Sequence, residues 1–292
     1  MKLKRDLAIL LQRNDFSMAC KTDLKHPKHF HSHPGYELVW LQDGAAQYIF
    51  EDKIYPMAKD SLLVFKSSSL HKVHVPEGRK YARVVIQFTR NFFGFEHEAL
   101  EEFQRILERM SAPHTLLQLQ AEAAGALRGI VERLMAENAG DDTWGKKGAI
   151  QIHLLELLLF LCRSMRRETG VGDRLDRGTD KAVLTENILL ELNAAWNTNW
   201  SLDALASRLH MNKFYLCHFF KKELGVTIQQ YILQKRFHEA QKLLINTDLP
   251  IREVASRVGF VSDSNFIRGF KKHLNTTPKL FRESAEAQHY KL

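Results

Sequence analysis

Leu202-Asp-Ala-Leu-Ala-Ser-Arg-Leu-His-Met211 and Ile251-Arg-Glu-Val-Ala-Ser-Arg-Val-Gly-Phe260 are two copies of one pattern, 49 residues apart, with an identical Ala-Ser-Arg core. One extra residue, Val261, then enters the second copy. From there Asn212-Lys-Phe-Tyr-Leu-Cys-His-Phe-Phe-Lys-Lys-Glu-Leu-Gly-Val-Thr227 aligns with Ser262-Asp-Ser-Asn-Phe-Ile-Arg-Gly-Phe-Lys-Lys-His-Leu-Asn-Thr-Thr277 at an offset of 50. Each copy reads as a short helix, a tight turn and a second helix. Ala206 and Ala255 are small where the two helices must approach closely, and Gly259 supplies the permissive backbone of the second turn. His210 stands at the equivalent place in the first copy, and histidine tolerates the left-handed region better than most side chains.

The helix ends are equally explicit. Asn212 and Ser262 sit where N-caps of the second helices belong, and Gly225 and Asn275 can end those helices. Thr227 opens a capping box with Gln230, while its counterpart Thr277 precedes Pro278, a favoured first-turn residue. Between the copies, Ile228, Tyr231, Ile232, Ala240, Leu243 and Leu244 line one face of a helix about 27 Å long. A rod of that length can hold two reading heads for major grooves about 34 Å apart.

On the second helix of each copy, positions three or four apart share a face. Phe214, Cys217 and His218 form one outward set, with Ser264, Asn265 and Arg268 as its counterpart and Asp263 opening the second helix. Leu216, Phe219 and Phe220, like Phe266 and Phe270, fall on the apolar side and are expected in the core. Arg268 is the candidate for a two-pronged base contact, and Lys213, Lys221, Lys222, Lys271 and Lys272 are candidates for phosphate contacts. Charge agrees: residues 181–292 carry 16 basic and 10 acidic side chains, whereas residues 1–180 carry 26 and 24.

The run from Ile251 to Arg282, with Tyr231, Arg236, Ala240, Leu243 and Leu244 of the connecting helix, resembles the signature of AraC/XylS-type bacterial transcription regulators. The resemblance covers about 110 residues and departs from the family pattern at Asn265, Asn275 and Phe281. It implies promoter DNA and RNA polymerase as partners.

Upstream, Tyr36-Glu-Leu-Val-Trp-Leu41, Gln47-Tyr-Ile-Phe50, Leu62-Leu-Val-Phe65 and Arg83-Val-Val-Ile-Gln-Phe88 are strand-like, and Asp43-Gly44 and Glu51-Asp-Lys53 read as hairpin turns. Antiparallel pairing into a sandwich or barrel follows. Helical periodicity is expected over Ala99–Met110, Leu116–Glu137 and Lys146–Arg167, with a break at residues 140–142. The apolar face Ile150, Leu154, Leu157, Leu158 and Leu161 fits either packing on the barrel or a dimer seam. Residues 168–180 read as a linker.

His31-Ser-His33-Pro-Gly-Tyr-Glu37, with Gly44 beyond it and His71 after Ser67-Ser-Ser-Leu70, resembles the two cupin motifs, although Lys59 replaces the usual glycine before Asp60. This implies a cupin-like sensor barrel over roughly residues 20–95. Period two places His29, His31 and His33 on one strand face, shared by Glu37 if the strand is unbroken. His31, His33, Glu37, Trp40 and His71 are the candidate effector residues, with Tyr48, Phe50, Phe65 and Phe88 as further pocket candidates. The same histidines and Glu37 offer three nitrogens and one oxygen to a divalent metal; a metal-free pocket that bonds a polar ligand is the favoured reading, with no cofactor. His26 and His74 read as surface residues.

The sequence has 292 residues, a net charge of +8 and three cysteines, Cys20, Cys162 and Cys217, without a CxxC pair. Neither a disulfide framework nor a cysteine zinc site is expected, nor a membrane span, and the amino end is too short in apolar residues for a signal peptide. A cytoplasmic α+β protein of two domains is expected. Residues 1–95 would form the sensor barrel, 96–167 a dimerising helical extension, 168–180 a linker, and 181–292 a DNA-binding domain with helix-turn-helix units at 201–224 and 250–274. The expected function is a non-enzymatic, homodimeric transcription activator controlled by a small molecule such as a sugar. A metal-dependent cupin enzyme with a DNA-binding tail is the competing reading.

Overall fold

The computed structural model describes residues 15–22, 29–51, 53–94, 114–141, 144–168, 180–198 and 200–289. The expected helix over Ala99–Met110, most of the 168–180 linker, and His26 lie outside the described residues.

Among the described residues, eight strands form two antiparallel sheets. They are β1 (Phe16–Lys21), β2 (Tyr36–Gly44), β3 (Ala46–Ile49), β4 (Ile54–Met57), β5 (Ser61–Lys66), β6 (Lys72–His74), β7 (Tyr81–Phe88) and β8 (His114–Gln118). The larger sheet runs β1-β7-β2-β5-β8 and the smaller β4-β3-β6. Strand alternation splits β2 between two cores. Val39 and Leu41 face the smaller sheet with Leu63, Phe65 and Tyr81, whereas Leu38 and Trp40 point away with Leu62, Val64, Val84 and Ile86.

Glu51–Lys53 does close a hairpin, with Phe50 N donating to Lys53 O at 2.9 Å. Asp43-Gly44 does not. β2 pairs with β5 and β7, and β3 with β4 and β6, so this dipeptide is the corner where the chain crosses between sheets. Gly44 has φ +101°, and a Cβ there would lie 1.8 Å from Lys80 O. The corner demands glycine for a different reason from a hairpin.

Two helices cover the outer face of the larger sheet: α1 (Ala121–Ala139) and α2 (Lys146–Glu168). The helical reading of Leu116–Glu137 is corrected at its start, because residues 114–118 pair with Ser61–Phe65 as β8. Residues 146–165 of α2 are by length and composition apolar enough to cross a membrane. Their inner face is nevertheless occupied, since Ile150, Leu154, Leu157, Leu158 and Leu161 are buried against α1 and the sheet. That stripe is core and not a dimer seam.

The carboxy-terminal part contains α3 (Asp180–Ala195), α4 (Leu202–Arg208), α5 (Lys213–Leu224), α6 (Ile228–Asn246), α7 (Ile251–Arg257), α8 (Asp263–Leu274) and α9 (Pro278–His289). Asn212 Oδ1 caps α5 through Phe214 N and Tyr215 N, Ser262 Oγ caps α8 through Asn265 N, and Thr227 and Gln230 form the capping box of α6. His210 and Gly259 occupy the two turns at φ +52° and +83°, and Gly225 and Asn275 end α5 and α8 in the left-handed region. Arg236 of α6 donates to Trp196 O, Thr198 O and Gly259 O, tying the second turn to the chain that precedes the first unit.

Candidate DNA interface and sensor site

The reading helices α5 and α8 are each buried along one side and open along the other. Leu216, Phe219, Phe220, Phe266 and Phe270 are in the core, while Phe214, His218, Lys221 and Lys222 on α5 and Asp263, Ser264, Asn265, Arg268, Lys271 and Lys272 on α8 are exposed. Cys217 is half-buried beside them. Lys213 pairs with Asp203 at 2.9 Å, which fastens the start of α5 to α4. Arg268 Nη2 donates to Asn265 Oδ1 at 2.7 Å, so the two side chains present a joint surface one helical turn deep. Tyr215 on α5 (56% exposed) and Val261 in the turn before α8 were not among the candidate contact residues, yet both stand in the open. Their exposed apolar surface inside a repeat turn and on a reading helix was the available signal. A cleft of about 770 Å³ separates the two units, with Lys213 on one side and Ser262 and Asn265 on the other.

In the barrel, His31, His33 and His71 come together with ring nitrogens within 4.8 Å of one another. His31 and His33 precede β2, and the Pro34-Gly35 bend breaks the strand, with Gly35 at φ +101°. Glu37 therefore reaches the cluster from β2 and not along one continuous strand. His29 is exposed and contributes only its carbonyl, towards which His31 Nδ1 is turned at 3.3 Å.

His33 Nε2 donates to Glu37 Oε2 at 2.8 Å, and Gln87 Nε2 donates to the same oxygen at 2.9 Å. Burial would raise the Glu37 pKa, but the His33 bond and the neighbouring His71 outweigh it and bring the carboxyl down to about 2. Burial, with His31 adding to it, lowers His71 to about 3, and burial likewise lowers His31. Both rings are thus neutral at pH 7. His71 turns Nδ1 to Ser69 O at 2.8 Å, which leaves Nε2 facing the cluster, buried and without a hydrogen-bond partner among the described residues.

Of the other pocket candidates, Phe65 packs on His71 with ring centroids 4.8 Å apart, and Phe50 lies 6.1 Å from it. Tyr48 is in the same inner core, hydrogen-bonded to Tyr81. Trp40 is corrected: it lies on the opposite face of β2 from Glu37, among the residues covered by α1 and α2, with Arg128 over its ring. Phe88 shares that outer face. Sequence reading missed Gln87, whose parity on β7 and pairing opposite Glu37 place it in the site.

The barrel and the DNA-binding part share a core. Phe30, Ile49, Ile54 and Leu70 from the barrel pack with residues of α3, α5 and α6. Around this core, Lys235 of α6 forms an ion pair with Glu51, Ile54 N donates to Glu186 Oε1 at 3.1 Å, and Lys72 Nζ donates to Leu224 O at the end of α5.

A buried cluster of histidines and a glutamate in a β-barrel, joined to two helix-turn-helix units on one connecting helix, defines a ligand-binding transcription regulator. Family models agree part by part: that of an AraC-like ligand binding domain matches residues 16–158, and that of a helix-turn-helix domain matches residues 205–284. PqrA of Proteus vulgaris, a probable transcription factor, is 38% identical over 95 residues, 32% of this chain and 78% of that protein. YdiP of Escherichia coli K12, an uncharacterized HTH-type transcriptional regulator, is 25% identical over 248 residues, 84% of this chain and 78% of its own. The transcriptional activator RhaR of an Enterobacter species (strain 638) is 22% identical over 294 residues, 94% of this chain and 96% of its own. The chain belongs to the AraC family of transcription regulators.

Proposed function

We propose that this regulator activates promoters to which its two reading helices bind, and that its effector is a small polar metabolite, such as a sugar, seated on His31, His33, Glu37 and His71. The observation that carries the effector reading is the buried Nε2 of His71, which has no hydrogen-bond partner among the described residues and lies 3.9 Å from the ionised Glu37 carboxylate. A lone polar atom buried there costs stability that a ligand group restores. The activating direction follows RhaR, whose described role is activation, and entails contact with RNA polymerase. The reading and phosphate-binding roles belong to the exposed side chains on α5 and α8. Calorimetric titration of the full-length protein with a sugar panel should identify a ligand whose affinity falls about tenfold in His71→Ala, the loss of one good hydrogen bond. Unchanged affinity for that ligand in His71→Ala would place the effector elsewhere.

The convergence of three imidazoles and a carboxylate also suits a divalent transition ion, since His31 and His71 turn Nδ1 towards backbone carbonyls and keep Nε2 inward. Such an ion would polarise a bound ligand in the metal-dependent enzyme reading. Full effector and DNA binding after chelator treatment would exclude that alternative.

Dimerisation moves to the outer face of α2. Ile152 and Leu159, one heptad apart, are 65% and 38% exposed on that face, with Leu155 and Cys162 half-buried between them and the core. A second copy of the same helix offers the same stripe. Ile152→Glu with Leu159→Glu is expected to sediment as a folded monomer and to bind paired promoter sites less well than a single site. A folded double variant that remains dimeric would remove α2 from the interface.

A further inference from the structure

The five residues His29–His33 have two sides, and the two sides serve different domains. The strip is held in extended form by reciprocal backbone bonds between His31 and His71, both 2.9 Å, and by His33 N donating to Ser67 O at 2.9 Å. His31 and His33 turn their rings to Glu37 and His71. Phe30 and Ser32, of the opposite parity, turn to α6.

Phe30 is 3% exposed and meets the Tyr231 ring edge to face, with centroids 5.1 Å apart. Its backbone N–H donates to Gln234 Oε1 at 3.3 Å. Ser32 Oγ is hydrogen-bonded to His238 Nδ1 at 2.8 Å. Tyr231, Gln234 and His238 are spaced three and four apart, so they form one face of α6 over two helical turns. A two-residue repeat in the barrel strip is thereby matched to the helical repeat of the rod that carries both reading heads.

We propose that Phe30 and Ser32 are positioning residues that transmit occupancy of the histidine cluster to the connecting helix. This rests on the reading of that cluster as the effector site. A ligand that inserts among the His31, His33 and His71 rings and replaces the His33–Glu37 bond rotates the strip about its backbone bonds. The same rotation moves Phe30 and Ser32 against Tyr231, Gln234 and His238, because adjacent residues of an extended chain cannot turn independently. The change is passed to both heads together, since α6 leads directly into each. By reciprocity, the grip on α6 sets the affinity of the cluster for its ligand.

The test uses amide hydrogen exchange of residues 228–246 in the full-length protein and needs no ligand, because removing a cluster ring perturbs the same side of the strip. His33→Ala should raise exchange of the α6 face that includes Tyr231, Gln234 and His238 by about fivefold or more, the lower end of common coupling strengths. In a Phe30→Leu, Ser32→Ala background, whose conservative changes keep the strip in place, His33→Ala should have no further effect. Glu51→Gln supplies the control. It loosens α6 through Lys235, a contact off the strip, and the His33→Ala effect should persist in full. A His33→Ala effect that is absent in the wild type, or that survives intact in the Phe30→Leu, Ser32→Ala background, overturns the coupling role. The effector assignment is judged separately by the His71→Ala titration, so failure of one is distinguishable from failure of the other.

Discussion

Raising salt from about 50 to 200 mM should weaken binding of the full-length protein to its promoter about 150- to 500-fold, with a log-log slope of about −3.6 to −4.5. Lys221, Lys222, Lys271 and Lys272 are exposed at the ends of α5 and α8, and Lys213 stands at the start of α5. Each phosphate they neutralise releases condensed counterions, and each release contributes about −0.9 to the slope. Lys213 is already paired with Asp203, which is why the slope is expected below the full value for five contacts. A nearly flat dependence in a salt titration would show that these lysines do not meet phosphates.

Arg268→Ala should relax base preference at one or two positions by about 1–3 kcal/mol, up to roughly a hundredfold for the preferred base, while leaving other positions alone. The guanidinium is exposed and braced by Asn265, so its planar fork is partly preorganised for two bonds to a guanine. Lys271→Ala, three residues on, should lower affinity for all sequences about equally and reduce the salt slope by about one. Measuring both variants against single-base operator variants separates the roles. A uniform loss for Arg268→Ala would reassign it to the DNA backbone.

The DNA-binding half was legible because its signals are local. Caps, turns and helix faces are written within a few residues of where they act, and a repeat shows them twice. His210 illustrates this: the missing glycine changed the residue and not the backbone, which adopts φ +52°. The barrel half was less legible where its partners are distant. Residues 114–118 resemble the start of a helix until β5, about fifty positions earlier, is available to pair with them. Asp43-Gly44 has hairpin composition, and only the sheet order shows that it turns a corner.

Trp40 could have been placed from its parity alone, since it is an odd number of residues from Glu37 and must face the other way along an unbroken β2. The buried stripe of α2 was correctly recognised as apolar, but periodicity cannot say whether such a stripe meets its own sheet or another copy. The strip at Phe30 and Ser32 was beyond sequence reasoning, because its partners on α6 lie some two hundred residues away.

The shared core joins the barrel to only one of the two heads. Phe30, Ile49, Ile54 and Leu70 pack with the first unit, and Lys72 caps the carboxy-terminal carbonyl of its reading helix. The core of the second unit draws on residues 237–281, with Trp196, and, among the described residues, on none from the barrel. The molecule is therefore modular in an unequal way. A foreign sensor grafted onto this DNA-binding half would need a surface fitted both to the first head and to the face of α6 that meets Phe30 and Ser32, since α6 runs on into the second head.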